Sequence, residues 1–129
     1  MSNLETLKKG YQLFAEGKIE EVLAMWDKDI VWKECKGFPF VEGDGTYIGP
    51  QTIAKEVFSN LPKYYDNFNI EIDDFVNGGE KIVMISHYSG IWKASGKPFE
   101  ANATHTWTFK NGKPASFFQA VDTAEIMKD

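Results

Sequence analysis

The sequence predicts an α+β fold in which helices come first and a largely antiparallel sheet follows, the two forming layers around one core. Three observations carry this. Apolar residues recur at helical spacing near the N-terminus and again after Pro50. Beyond Asn67 they alternate instead. The turn sequences "NGG", "ASGK" and "KNGK" then divide the alternating half into four strand-length runs.

The first helix is "NLETLKKGYQLFAE", residues 3–16, with Leu4, Leu7, Tyr11 and Phe14 on one side and Asn3 as its cap. Gly17 stops it. "KIEEVLAMW" is a second, short helix presenting Ile19, Val22, Leu23 and Trp26, and "KDIVWKEC" then switches to a strand with Ile30 and Trp32 opposed to Val31 and Lys33. "GFPFVEGDGTYIGP" is rich in glycine and aromatic residues, and reads either as a functional rim loop or as a hairpin around "GDG". Helical spacing returns through Ile53, Val57, Phe58 and Leu61, with Pro50 at the start and Pro62 breaking or ending the helix. The four strands are "FNIEIDDFV", "EKIVMISHYSGIW", "PFEANATHTWTF" and "PASFFQAV". The closing "AEIMKD" is expected to fray, while "DTAE" spells a capping box with Asp122 as the cap. A curved sheet with helices over one face leaves a pocket between the layers.

The 129 residues suit one domain spanning 1–129, large enough to form a core without staples. Apolar residues make up 43% and aromatic residues 15%, enough to furnish a ring-lined cavity. Net charge is -5 and every basic residue is a lysine. The absence of arginine argues against nucleic acid as a partner and removes the bidentate clamp for carboxylate or phosphate. Cys35 is the single cysteine, so no intrachain disulfide and no multi-thiolate zinc site is expected; it reads as a small buried hydrophobe. No cofactor or metal motif is found, and the "GDGTYIG" glycines lack a following Gly-Lys-Ser/Thr. With no apolar run of membrane-spanning length and an N-terminus that is amphipathic at once, no membrane association is expected and a cytoplasmic protein is the default.

The combination of "AEGKIEEVLAMWDKDIVWKE", "GTYIG" ahead of a helix and "HTWTFKNGKPASFFQAVD" resembles the superfamily of ketosteroid isomerases, SnoaL-type polyketide cyclases and nuclear transport factor two, and looks closest to its poorly characterised SnoaL-like branch. The likeness spans roughly residues 4–124. It implies a cone-shaped α+β barrel, with a curved mixed or antiparallel sheet and the N-terminal helices packed over its concave face. It also implies a deep pocket and a homodimer through the outer face of the sheet.

Residue by residue, the resemblance is incomplete. Glu34 in "VWKEC" matches the carboxylate with which ketosteroid isomerases remove a proton beside a carbonyl, and His105 stands where they carry a protonated Asp. Their helix-1 tyrosine falls near Gly10, one residue from Tyr11, and a helix turns about 100° per residue. In SnoaL-type cyclases the late-strand histidine corresponds to His105, but the catalytic Asp falls at Gln119, which cannot take a proton. Limonene-type epoxide hydrolases need an arginine. Chemistry of the scytalone dehydratase kind needs paired histidines, for which His87 and His105 are the sole candidates.

The hairpin at "KNGK" decides what stands beside His105. A two-residue turn, Asn111-Gly112, sets His105 opposite Phe118 and on one side with Ala120 and Asp122. A three-residue loop with Gly112 in a left-handed bulge sets it opposite Phe117, with Gln119 and Val121 on its side. The second keeps Asp122 off the apolar face and is favoured. It gives a pocket floor of Ala103, His105, Trp107, Phe117, Gln119 and Val121, with Glu34 arriving from the first strand and Tyr11, Phe14 and Trp26 from the helices. The bland readings are a core histidine bonded to a neighbour, a solvated Glu34 beside Lys33 and Lys36, and helix-face packing for Tyr11 and Trp26. Three functions follow: a pocket for a small hydrophobic or aromatic molecule; an isomerase, cyclase or lyase in which Glu34 abstracts a proton beside a carbonyl polarised by His105; and a dimeric interaction module whose pocket is filled by its own side chains.

Overall fold

A computed structural model describes residues 1–128. Helix α1 (Asn3–Ala15) starts one residue earlier than its sequence suggests: Ser2, not Asn3, is the cap. The Ser2 hydroxyl accepts from Glu5 N–H at 3.1 Å and the Glu5 carboxylate accepts from Ser2 N–H at 3.2 Å, a reciprocal capping box. At the other end Gly17 takes φ 76, which lets Gly17 N–H reach Phe14 O and Lys18 N–H reach Leu13 O in a Schellman closure. Helix α2 (Ile19–Ala24) follows, then β1 (Val31–Lys33) and β2 (Thr46–Ile48), which pair antiparallel with Trp32 opposite Tyr47. The glycine-rich segment is thus a long hairpin connection, and its Phe38 is buried rather than on a rim.

Helix α3 (Pro50–Glu56) passes through one 3-10 turn at Phe58–Asn60 into α4 (Leu61–Tyr64). Pro62 lies in the first turn of α4, where its missing N–H leaves no bond unmade, so it opens a helical turn instead of ending one. Strands β3 (Tyr65–Asn77), β4 (Lys81–Trp92), β5 (Lys97–Lys110) and β6 (Lys113–Val121) form the antiparallel body, and α5 (Thr123–Ile126) closes the described chain.

The six strands form one sheet in the order β2-β1-β6-β5-β4-β3, with β1 parallel to β6, so the sheet is mixed. Helices lie over one face, as expected for α+β. The expected cone-shaped barrel is not formed: the sheet is open and not strongly curled. Closure requires the two edge strands to pair. Here β2 offers only three residues, its neighbour is α3, and β3 keeps an unpaired edge broken by irregular pairing at Asp66/Asn69 and Ile72/Asp74. Such bulges, with Glu71, Asp73 and Asp74 alongside, blunt an exposed edge against further pairing.

The β5–β6 hairpin corrects the expected register. Lys110 pairs with Lys113 around a two-residue turn, with Asn111 at φ 52 and Gly112 at φ 76, the paired positive angles of a type I′ turn. Between Thr108 and Phe109 the pairing then jumps from Ser116 to Pro114, so Ala115 is an extra residue in β6. His105 consequently faces Gln119, neither Phe117 nor Phe118. The bulge undoes the change of face that the short turn alone would cause. Phe117, Gln119 and Val121 therefore share the side of His105, by a different route from the three-residue loop.

Two apolar clusters fill the space between layers. The larger joins α1, α2 and α3 to the sheet through Leu7, Leu23, Ile53, Trp32, Trp107 and Phe117; the smaller gathers Phe38, Tyr65, Tyr88, Phe99, Ala101 and Ile126. The tail is not frayed at Ile126, which is 1% exposed, and Asp122 caps α5 by accepting from Glu125 N–H. Replacing Ile126 by Ala should cost about 2–4 kcal/mol of stability through lost burial and the cavity left behind. Urea unfolding measures this, and a loss below about 0.5 kcal/mol would mean that the tail does not dock.

Candidate functional site

Three buried polar residues sit where the two clusters meet: Glu34 at 3% exposure, His105 at 4% and Gln119 at 2%. Each arrives by strand alternation. Trp32 points inward from β1, Lys33 outward, and Glu34, the first residue past the strand, inward again. Its backbone is held by Gly45: Glu34 N–H donates to Gly45 O at 2.9 Å, and a Cβ on Gly45 would come within 2.8 Å of Glu34 O at a φ of +78. Only glycine fits that approach.

The side chains form one continuous hydrogen-bonded chain. Trp107 Nε1–H donates to Tyr11 Oη at 2.8 Å, and Tyr11 Oη meets His105 Nδ1 at 2.6 Å. His105 Nε2 meets Tyr88 Oη, Tyr88 O–H donates to Gln119 Oε1 at 2.8 Å, and Gln119 Nε2–H donates to Glu34 Oε2. From the far side Trp32 Nε1–H donates to Glu34 Oε1 at 2.6 Å.

The protons can be assigned by elimination. Above about pH 7, where Glu34 is ionised, its carboxylate only accepts, so Gln119 must turn its NH₂ to Glu34 and its oxygen to Tyr88. Tyr88 then uses its one proton on Gln119 and must accept from His105 Nε2–H. A neutral imidazole with a proton on Nε2 accepts at Nδ1, which requires Tyr11 O–H as donor, and Tyr11 in turn accepts from Trp107. Every donor points along the chain toward Glu34.

Burial governs the titrations. It raises the Glu34 carboxyl to about 7, against the bond from Trp32, and no cation lies within ion-pairing distance of it among the described residues. Burial pushes His105 down to about 3, so its imidazole is neutral, and holds the Tyr11 and Tyr88 hydroxyls protonated.

Beside this chain lies a cavity of about 70 Å³, walled mainly by apolar side chains and by Glu34, Tyr11, Tyr88, His105 and Gln119. A groove of about 420 Å³ between α1 and β3 shares the walls Tyr11, Phe14, Phe68 and Ile70 with it and carries Lys8 and Gln12 on its rim. Among the described residues no group of three or more His, Cys, Asp or Glu is arranged to hold a metal.

The SnoaL-like domain model matches residues 7–117, most of the chain. The chain belongs to the SnoaL-like family. In fold, this SnoaL-like chain is similar to an NTF2-like protein from Burkholderia thailandensis, at 26% identity and TM-score 0.90, with 98% of this chain and 95% of that one covered. It is also similar to an NTF2-like protein of unknown function from Burkholderia pseudomallei, at 25% identity and TM-score 0.87 over 100% of both chains. TerC, co-crystallized with polyporic acid, shares the fold at 22% identity and TM-score 0.84, with 98% of each chain covered. No curated protein matches in sequence.

Of the residues expected at the SnoaL-like site, Tyr11, Phe14, Trp26, Glu34, His105, Trp107, Phe117 and Gln119 all line the cavity, whereas Ala103 and Val121 pack in or against the smaller cluster. His105 and Glu34 are joined through Tyr88 and Gln119, and both nitrogens of His105 are occupied by tyrosines. His87 stands on the opposite face, three residues along β4 from the partner of His105, and bonds Asp73 and Glu71 instead. Tyr88 was the group missed. The alternation Ile82, Met84, Ser86, Tyr88 in "EKIVMISHYSGIW" places it on the side of His105 and was the signal that pointed to it.

The two shifted groups oppose each other in stability. Glu34, raised when folded, contributes stability present below about 4.5 and lost as pH rises through about 7; His105, lowered when folded, contributes stability present above about 6.5 and lost as pH falls toward about 3. Between pH 4.5 and 6.5 the pair binds one proton in either state, so the two slopes cancel. Relative to wild type, Glu34→Gln should therefore lose stability on acidification across that window, and His105→Gln should lose it on alkalinisation, each by up to about 1.4 kcal/mol per pH unit. Urea unfolding at several pH values measures both; parallel profiles for all three proteins would contradict the assignment.

Proposed function

We propose that the cavity and adjoining groove hold a small, largely apolar, ring-bearing molecule that presents one polar function to Glu34. The observation that supports this is a carboxylate buried without a counter-ion in a largely apolar, ring-lined cavity. Isolation of that kind is costly and suits a group that must exchange a proton near neutrality. At about 70 Å³ the inner chamber is smaller than the roughly 150 Å³ that accommodates benzene. The polar end therefore enters the chamber and the rings extend into the groove. Unfilled space beside Glu34 weighs against a module whose pocket is filled by its own side chains.

The buried carboxylate favours a second, catalytic reading: Glu34 removes a proton from carbon beside a carbonyl. The C–H bond breaks, its electron pair passes into an enolate, an O–H forms on Glu34, and the proton is returned to the same or a conjugated carbon. His105 then orients Tyr88 and Tyr11 rather than touching the carbonyl itself. We take residues 1–129 as one such domain and place it in the cytoplasm, and assign the homodimer contact to the outer sheet face, where Val31, Val76, Ile85 and Phe118 are exposed.

Native mass spectrometry of freshly purified protein should report a retained small molecule and twice the chain mass, with the small molecule lost in His105→Ala. Catalysis is read separately from α-hydrogen exchange of 2-indanone in D₂O by NMR. Wild type should accelerate exchange, and Glu34→Gln should lower that acceleration about 10²-fold or more. Exchange that persists unchanged in the variant rules out Glu34 as the base.

A further inference from the structure

The order of protons along the cavity wall fixes what the wall still has to offer a ligand. With Glu34 ionised, Trp107 donates to Tyr11, Tyr11 to His105, His105 to Tyr88, Tyr88 to Gln119, and Gln119 and Trp32 to Glu34. These donors are spent on neighbours, and the hydrogen-bonded chain keeps one free hydrogen, the second N–H of the Gln119 amide. Acceptor capacity is what remains. Tyr11, Tyr88 and Gln119 each retain a lone pair, and the Glu34 carboxylate, with room for about four hydrogen bonds, receives one from Trp32 and one from Gln119. Elsewhere on the lining stand the Thr6 hydroxyl and the Trp26 indole N–H, neither of them bonded to Glu34.

Charge points the same way. Glu34 is 3% exposed, lines the cavity and has no cation within ion-pairing distance among the described residues. No lysine lines the inner chamber, and the groove has Lys8 alone, its ammonium 5.5 Å from the centre of the Phe75 ring. Trp26, Trp32 and Trp107 line the chamber with Glu34, and indole is the side-chain ring that attracts a cation most strongly. The chain as a whole carries net charge -5, which draws cations toward it. A buried carboxylate among these rings lacks a positive charge that also donates.

We infer that the polar function seated beside Glu34 is a protonated amine, and that the ligand is a monoamine whose uncharged rings lie in the groove. The inference rests on the reading of the cavity as a small-molecule site, and it puts an ammonium in place of the carbonyl of the catalytic reading. An ammonium brings N–H donors to the spare lone pairs and the counter-charge that Glu34 lacks. A ketone brings one more acceptor to a wall already rich in them. A carboxylate adds a second negative charge, with no arginine in the chain to offset it. Lys8 on the groove rim disfavours a second cationic group at the outer end of the ligand.

The test uses 2-aminoindane, 2-indanone and indane, which share one ring system and differ in the function on one carbon. Binding is read from the fluorescence of the tryptophans lining the cavity at about pH 8, where Glu34 is ionised and an alkylamine is protonated. Wild type should bind 2-aminoindane about tenfold or more tightly than either of the others. In Glu34→Gln the preference over indane should shrink to within about threefold, with indane affinity itself unchanged within about twofold. A wild type that binds 2-indanone as tightly as 2-aminoindane overturns the ammonium assignment and leaves the cavity reading standing; so does a preference for the amine that survives in Glu34→Gln. If that variant does not fold, the wild-type ratios decide alone. Binding of none of the three to wild type overturns the occupancy reading and this inference together.

Discussion

Glu34 sets the direction of every hydrogen bond in the cavity wall. In its ionised form this buried carboxylate only accepts, and without a counter-ion it draws the Trp32 indole from one side and the Gln119 amide from the other. The amide fixes the proton on Tyr88, Tyr88 fixes the tautomer of His105, and His105 fixes the proton on Tyr11. Seven residues from α1, β1 and its end, β4, β5 and β6 are thereby tied into one ordered array. A fully satisfied buried network of this kind specifies its geometry sharply, since any single reversal leaves a buried donor facing a donor.

This ordering changes what His105 does. Its ring is neutral and engaged at both nitrogens, so it acts as an interior strut that aligns two tyrosines. Gln119 holds the position for which the resemblance to SnoaL-type cyclases implies an Asp, and here an amide is what the hydrogen-bonded chain uses: one end donates to Glu34 while the other accepts from Tyr88. A carboxylate at that position would set two acceptors against each other.

The outer face of the sheet has a separate character. Val31, Ile48, Val76, Ile85 and Phe118 are exposed there or beside it, while His87 is clasped by Glu71 and Asp73. The attraction of those carboxylates raises the His87 pKa, opposite in sense to the effect of burial on His105. Two histidines within one sheet thus titrate in opposite directions, and strand alternation alone separates their surroundings.

Sequence by itself determined the element types and their order, because helical and strand periods report how apolar side chains reach a common core. It also determined which side of β5 carries His105, and it singled out Glu34 and Gln119. Tertiary structure decided three things that local patterning cannot encode. Closure depended on whether β2 and β3 meet, a long-range matter of strand length and neighbouring helices, and the sheet stayed open. The partner of His105 depended on a type I′ turn followed by a bulge at Ala115, two local shifts that sum to a register no single turn rule contains. The charge states of Glu34 and His105 depended on burial and on Tyr88, contributed by a different strand, because desolvation is a property of everything packed around a group and not of its neighbours along the chain.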